Sequence, residues 1–311
     1  MNIYFAPMEG ITGYVYRNAH KMYFPSVEKY FAPFVSPTQH HALNRKEKKD
    51  VIPENNQNIC LVPQVMTNKA EYFLRVCKDL EEMGYIEVNL NLGCPSGTVV
   101  TKGKGAGFLA RLDDLNQFLE EVFANCNLDV SLKTRLGMEQ PEEVFDLMQI
   151  LEQYPVKEWI LHPRVREDYY KYTPHYDVFA EVAKQTKLPL CYNGDILTKQ
   201  EYEKCIKQFP NIQSVMIGRG LLHNPALVRE IKGGLPMTKQ EWQQFHKTVY
   251  EGYQMMMQNQ RNTSFKMKEL WTYWAILVPE QTKMLKKIKK ANDFVNYEAA
   301  VQQLFLSDID I

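Results

Sequence analysis

Residues 69–96 read KAEYFLRVCKDLEEMGYIEVNLNLGCPS, and the fold class follows from them. Ala70, Phe73, Leu74, Cys77, Leu80 and Met83 recur close to every 3.6 residues, which predicts an amphipathic helix over 69–83. The apolar run Ile86–Leu90 predicts a strand, and a polar loop holding Gly93, Cys94, Pro95 and Ser96 follows it. The same unit recurs downstream. Helical spacing over 112–123, 142–151, 177–183 and 199–209 separates strand-like runs at 130–133, 159–161, 190–192 and 215–217, with Pro141 at one helix start and Thr198 placed to cap another. Upstream, strands are predicted at 3–6, 29–34 and 61–65. Strands buried between helices pair in parallel through right-handed crossovers. Eight such strands predict an α/β fold, a closed (β/α)8 TIM barrel over residues 1–235. An open doubly wound sheet is the alternative, but no G-x-G-x-x-G follows the first strand.

Gly233-Gly234-Leu235-Pro236 marks a boundary. Beyond it no strand pattern appears, and Trp242, Phe245, Val249 and Tyr253 recur at helical spacing, so residues 236–311 are expected to form a C-terminal helical domain.

Composition excludes several classes. With 45% hydrophobic and 24% charged residues among 311, the chain is an ordinary globular one and neither disordered nor fibrous. The run Trp271–Val278 falls far short of the roughly 20 apolar residues that span a bilayer, so no membrane partner is expected. The first residues lack a secretory pattern, and the six cysteines contain no C-x-x-C pair. A cytoplasmic protein with reduced thiols, no metal and a monomeric state is the expectation. The 37 basic and 37 acidic residues cancel globally, yet residues 238–290 hold ten Lys or Arg against four Asp or Glu. A local basic face for an acidic partner is thus expected.

In a parallel barrel, chemistry sits at the C-terminal ends of the strands. There the sequence places Ala6-Pro7-Met8-Glu9-Gly10, Gln64, Asn89-Leu90-Asn91-Leu92-Gly93-Cys94-Pro95-Ser96, Lys133-Thr134-Arg135, His162-Pro163-Arg164, Asn193-Gly194-Asp195 and Gly218-Arg219-Gly220. The last two clusters, with glycines that admit close backbone approach and a forked guanidinium, suit a phosphate. Lys133 should enter the mouth, where it meets either an anionic ligand or a carboxylate such as Glu87. Gln64 and Asn91 present amides that both donate and accept, matching a ring edge of C=O and N–H groups. His162 reads equally as a phosphate contact or as a satisfied structural histidine. Cys94 lies in a loop, unlike Cys77 and Cys126 in helical patterns, and a thiol with an ordinary pKa of about 8.5 is protonated at neutral pH and can act as an acid.

In order and spacing these motifs, with Gly105-Ala106-Gly107-Phe108-Leu109 and Asn224-Pro225, resemble the bacterial tRNA-dihydrouridine synthases. The Asn-Leu-Asn-x-Gly-Cys-Pro-Ser form is most similar to the subgroup that modifies the D-loop at position 16. The resemblance implies FMN across the barrel mouth. Pro7, Met8 and Glu9 would line it through backbone contacts, and Gln64 and Lys133 would meet its pyrimidine side. His162, Asn193, Gly194, Asp195, Gly218 and Arg219 would hold its ribityl chain and phosphate. NADPH would be the reductant. Asn91 would position a target uracil, hydride would pass from flavin N5 to C6, and Cys94 would protonate C5. A base inside folded RNA must be extruded to be reached. Lys266, Lys268, Lys283, Lys286, Lys287, Lys289, Lys290 and Arg261 are candidate contacts to tRNA, against the alternative of a solvated helix face. Lys102 and Lys104 would belong to a flexible loop that closes over substrate. The family's usual His-x-Arg-Thr is here His162-Pro163-Arg164-Val165, which removes one hydroxyl. Two other readings are a flavin-barrel dehydrogenase of a small pyrimidine and a non-catalytic RNA-binding scaffold. The lysine excess opposes the first, and intact Cys94 and Lys133 oppose the second.

Overall fold

The computed structural model describes residues 1–309. Nine parallel strands, β1 (Asn2–Phe5), β2 (Lys29–Phe31), β3 (Leu61–Val62), β4 (Gln64–Val65), β5 (Glu87–Leu92), β6 (Asp129–Arg135), β7 (Trp159–His162), β8 (Leu190–Tyr192) and β9 (Ser214–Ile217), run in the order β3-β2-β1-β9-β8-β7-β6-β5-β4. The expected strand over 61–65 is broken because Pro63 has no N–H to give to a ladder. Its two pieces still form one stave. Ala32 N–H donates to Val62 O (3.0 Å) on one side and Asn89 N–H to Pro63 O (2.9 Å) on the other, so β3 and β4 close the ring of eight staves. The strand over 86–90 extends to Leu92 and that over 130–133 to Arg135, which lifts Asn91 and Lys133 into paired register at the rim.

Helices cover the outside at the expected places, among them Ala70–Glu82, Leu112–Asn125 and Lys199–Gln208. Thr198 caps the last of these, its hydroxyl accepting from Glu201 N (3.2 Å). Along β5 the odd residues Glu87, Asn89 and Asn91 face the lumen, while Val88, Leu90 and Leu92 join the large core beneath the helices. The lumen is divided. An apolar cluster of Tyr4, Ala6, Phe31, Val62, Ile160, Cys191 and Met216 fills one arc, and the amides and charges of β4–β6 fill the other.

Of the C-terminal helices, Lys239–Met257 packs on the helix Tyr14–Tyr23 and Gln260–Trp274 on the short helix Arg219–His223, while Thr282–Lys290 and Phe294–Leu306 pack on each other and on Gln260–Trp274. Tyr16 meets Phe245 edge-on at 5.5 Å, and Tyr23 Oη bonds Thr248 Oγ1 (3.0 Å). Gly252 permits this approach: a Cβ there would lie 2.7 Å from Val15 Cγ1. No helix is long and apolar enough to cross a membrane among the described residues.

Two buried histidines tie the assembly together. His20 Nε2–H donates to Pro225 O (3.0 Å) and its Nδ1 accepts from Tyr30 Oη (2.9 Å). His246 Nε2 bonds Tyr297 Oη (2.7 Å), which also accepts from Trp271 Nε1 (2.9 Å). Burial pushes both imidazoles down to about 3. The unfolded chain binds these protons below about pH 6.5, so protonation favours unfolding. Stability is therefore expected to be full above that value and to fall as the pH drops toward 3. Urea midpoints measured between about pH 7 and about pH 4 check this, and a flat profile would remove the two histidines from the account.

Candidate active site

The loops that end the strands meet at one rim. After β1, Pro7, Met8 and Glu9 form a turn in which Met8 N–H donates to Thr12 Oγ1 (2.8 Å) and Gly10 takes a φ of +75°. Gly218, after β9, faces this turn: a Cβ there would meet Ala6 Cβ at 3.4 Å and Met8 Sδ at 3.6 Å.

Gln64 is fully buried. Its Oε1 accepts from Asn91 Nδ2 (2.8 Å) and its Nε2 donates to Asn89 Oδ1 (2.7 Å). Asn91 Oδ1 in turn accepts the backbone N–H groups of Gly93 and Cys94, both at 3.0 Å. The bond from Asn91 thus shapes the turn that presents Cys94, a function the motif alone did not disclose. Gly105, at φ +55°, closes the other side of that turn, since a Cβ on it would lie 2.9 Å from Cys94 Cβ. Ala106 N–H donates to Cys94 O (3.0 Å). Lys102 and Lys104 lie in the turn over residues 101–104 that joins the short helix Gly97–Val100 to a 3-10 turn over Gly105–Ala110, the latter seated against Cys94.

Cys94 is half-buried. Burial raises its thiol pKa, with Glu9 adding to the effect and the Ser96 N–H, Arg135 and Lys133 opposing it. The sulfur therefore carries its proton at neutral pH. Lys133 forms no ion pair among the described residues. Glu87 is taken by Lys29 (2.6 Å), so the expected carboxylate alternative does not occur. Burial, then the Arg135 guanidinium, pushes the Lys133 ammonium down to about 8. Arg135 itself is buried and donates to Gly93 O (3.0 Å), Val165 O (2.9 Å) and Tyr169 O (2.9 Å), lacing two rim loops together.

His162 is held neutral, well below its ordinary value, by burial and by the surrounding Arg135, Lys133, Arg164 and Arg219. Its Nε2 accepts from Arg164 Nη1 (3.0 Å). Asp195 is clamped between Arg164 (Nη2–Oδ2, 2.6 Å) and Arg219 (Nη2–Oδ1, 2.7 Å). Burial raises its carboxyl, but the two guanidiniums outweigh that and hold it below the usual range. A carboxylate so engaged orients both guanidiniums at this rim. Arg164, absent from the expected site set, supplies the second guanidinium. Asn193 spends its Nδ2 on Met216 O (2.8 Å), which secures the β8–β9 rim. At Gly194 a Cβ would fall 1.9 Å from Tyr192 Oη, so only glycine fits. Tyr170 lies over Arg135 (5.3 Å) and Arg219 (5.2 Å) and stacks on His162 at 6.0 Å. Lys133, Arg135, Arg164 and Arg219 gather around His162 against two nearby carboxylates, Asp195 and Asp168, an excess of positive charge that suits an anionic ligand.

Among the lysines of the helical region, Lys266 is not free. Its Nζ bonds Gly10 O and Glu269, pinning the helix Gln260–Trp274 to the turn after β1. Lys286, Lys287, Lys289 and Lys290 are exposed and, with Lys268, form no ion pair among the described residues. Lys268 and Lys289 line a groove of about 640 Å³ with Phe265, Asn262 and Met257.

Comparisons with known proteins agree with this geometry. The family described as Dihydrouridine synthase (Dus) matches residues 4–308. A "Probable tRNA-dihydrouridine synthase" of Staphylococcus epidermidis is 28% identical over 229 residues, covering 71% of this chain and 68% of that protein. A "tRNA-dihydrouridine(16) synthase" of Pseudomonas syringae pv. tomato is 28% identical over 224 residues, covering 68% of this chain and 69% of its own. Among solved structures, a variant of NCR from Zymomonas mobilis (TM-score 0.54, 13% identity) covers 78% of this chain and 90% of that one. A morphinone reductase variant in complex with tetrahydroNAD (TM-score 0.54, 9% identity) covers 76% and 87%. At such identities the structures show a shared fold. The match over nearly every residue, on a barrel whose rim carries the expected thiol and cations, shows that the chain belongs to the dihydrouridine synthase family.

Proposed function

We propose that this protein reduces uridine to 5,6-dihydrouridine in the D-loop of tRNA, at position 16, the site named for one relative, using FMN and NADPH. The observation that carries the reading is the protonated Cys94 thiol, in a turn fixed by Asn91 at a rim where Lys133 has no anionic partner among the described residues. When bound, FMN supplies a hydride and NADPH restores it. The backbone of Pro7, Met8 and Glu9, the Gln64 amide and the Lys133 ammonium would hold its ring. Neutral His162, the close backbone at Gly194 and Gly218, and the Arg164–Asp195–Arg219 clamp would hold its ribityl chain and phosphate. Cys94 delivers its proton to C5 of the uracil, on the side opposite the hydride. Dihydrouridine mapping in RNA from a strain lacking the gene tests the assignment. Loss at position 16 of the D-loop is expected; an undiminished signal there would overturn it.

The helical segment from residue 236 would carry the RNA. Lys266 holds this segment against the rim and shares a groove with Lys268 and Lys289, while Lys286, Lys287 and Lys290 of the same helix as Lys289 line a second groove. Replacing Lys286, Lys287, Lys289 and Lys290 together by Gln should weaken tRNA binding about tenfold or more and lower the slope of log affinity against log salt by about 3. NADPH oxidation should be unchanged. Unaltered affinity and slope would place the RNA on another face.

A further inference from the structure

We propose that Glu87, at the closed end of the barrel, positions Cys94 through a one-way ladder of hydrogen bonds that climbs the lumen. The inference rests on the reading of Cys94 as the proton donor. Ser131 Oγ donates to Glu87 Oε1 (3.0 Å), and Asn89 Nδ2 donates to Ser131 Oγ (3.0 Å). Gln64, Asn91 and the Gly93 and Cys94 amides continue the series in the same sense, each donating toward the floor. Register makes this possible, since Gln64 pairs with Asn89, Asn89 with Ser131 and Asn91 with Lys133, and all point inward. Gln64, Asn89 and Ser131 are shut away from solvent, so no water competes for their bonds.

The direction has one source. A carboxylate accepts and has no proton to give. Ser131 therefore commits its single hydrogen to Glu87 (3.0 Å) rather than to Val88 O at 3.5 Å. Its oxygen is left to accept from Asn89, whose carbonyl must then accept from Gln64, whose carbonyl must accept from Asn91. Only with that last amide so turned does Asn91 Oδ1 face the N–H groups of Gly93 and Cys94. Were the order reversed, Nδ2 would confront two N–H donors and the turn that presents the thiol would lose both bonds. Lys29 pairs with the remaining oxygen of Glu87. Asn89, Ser131 and Glu87 are positioning residues: none reaches the rim, and each acts through its neighbour.

Glu87→Gln tests this, because an amide at the floor can donate to Ser131 and allow the ladder to run backwards. The full-length protein is treated with iodoacetamide across a pH series. Alkylation is followed on the Cys94 peptide by mass spectrometry, which separates it from exposed Cys60. Several-fold faster alkylation of Cys94 is expected, together with a fall of about 10- to 100-fold in kcat per bound flavin and an unchanged KM for tRNA. Glu87→Asp keeps an end that only accepts and should lie nearer the wild type in both readouts. A packing role predicts the reverse order, since Gln matches Glu in shape. If Glu87→Gln does not fold, Ser131→Ala cuts the ladder one rung higher and is expected to act on Cys94 in the same way. Wild-type alkylation and kcat in the folded variants, or Asp more damaging than Gln, would overturn the proposal. Alkylation needs neither RNA nor reductant, so the ladder can fail while the reaction stands. A wild-type protein that makes no dihydrouridine would sink the reaction and leave the alkylation result readable.

Discussion

Replacing Cys94 by Ala is expected to lower dihydrouridine formation by about 10²- to 10⁴-fold, the range set by a positioned general acid. The protein should keep its flavin and continue to oxidise NADPH. The physical case is that the sulfur holds a proton and little else. Burial keeps the thiol neutral, and the backbone bonds to Asn91 Oδ1 and from Ala106 N–H fix the loop whether or not the sulfur is present. An alanine should therefore preserve the turn and remove only the donor. Rapid mixing of the reduced enzyme with tRNA distinguishes the cases, because product at the wild-type rate would remove the acid role. Cys94→Ser offers a useful contrast: a hydroxyl fits the same turn but gives up its proton far less readily, so it should resemble Ala more than Cys.

Arg219→Ala is expected to weaken flavin retention by about 10- to 100-fold, the equivalent of one charge-assisted hydrogen bond of about 1.5–3 kcal/mol. The effect should exceed that of removing a typical surface cation because of what remains. Asp195 now shares its carboxylate between two guanidiniums. With Arg219 gone, Arg164 alone balances it, and an incoming phosphate would face a carboxylate whose charge is merely cancelled. Arg219→Lys should recover only part of the loss, since an ammonium cannot both hold Asp195 and present a fork to phosphate. Dialysis followed by absorbance of the retained flavin reads the outcome, and a stoichiometric flavin in Arg219→Ala would remove the phosphate assignment.

Much of the architecture could be read from period and punctuation alone. The alternation of strand and helix predicted the barrel and most helix limits, because strands buried on both faces and helices buried on one leave different apolar spacings. The missed details have specific causes. Pro63 splits a stave that reads as continuous, since its carbonyl still pairs and only its N–H is missing. β5 and β6 run past their apolar runs because Asn91, Thr134 and Arg135 are held in the ladder despite their polarity. In the site, residue types marked Cys94, Lys133 and Arg219 for chemistry, but partners across the lumen are invisible to spacing. The arginines that hold Asp195 and the Gly10 carbonyl that holds Lys266 come from distant segments of the chain. Residue type assigns no role to Ser131 and no partner to Asn89, although the alternation of polar and apolar residues in Glu87-Val88-Asn89-Leu90-Asn91-Leu92 signals that this strand turns a polar face inward.

That alternation has an evolutionary corollary. Val88, Leu90 and Leu92 belong to the shell that keeps the molecule folded, whereas Glu87, Asn89 and Asn91, one step away on the same strand, belong to the tube that serves the thiol. Changes at the first set would deplete the protein from the cell; changes at the second would leave a full complement of idle molecules. Natural selection would thus write two interleaved records into six consecutive codons, one of survival and one of work.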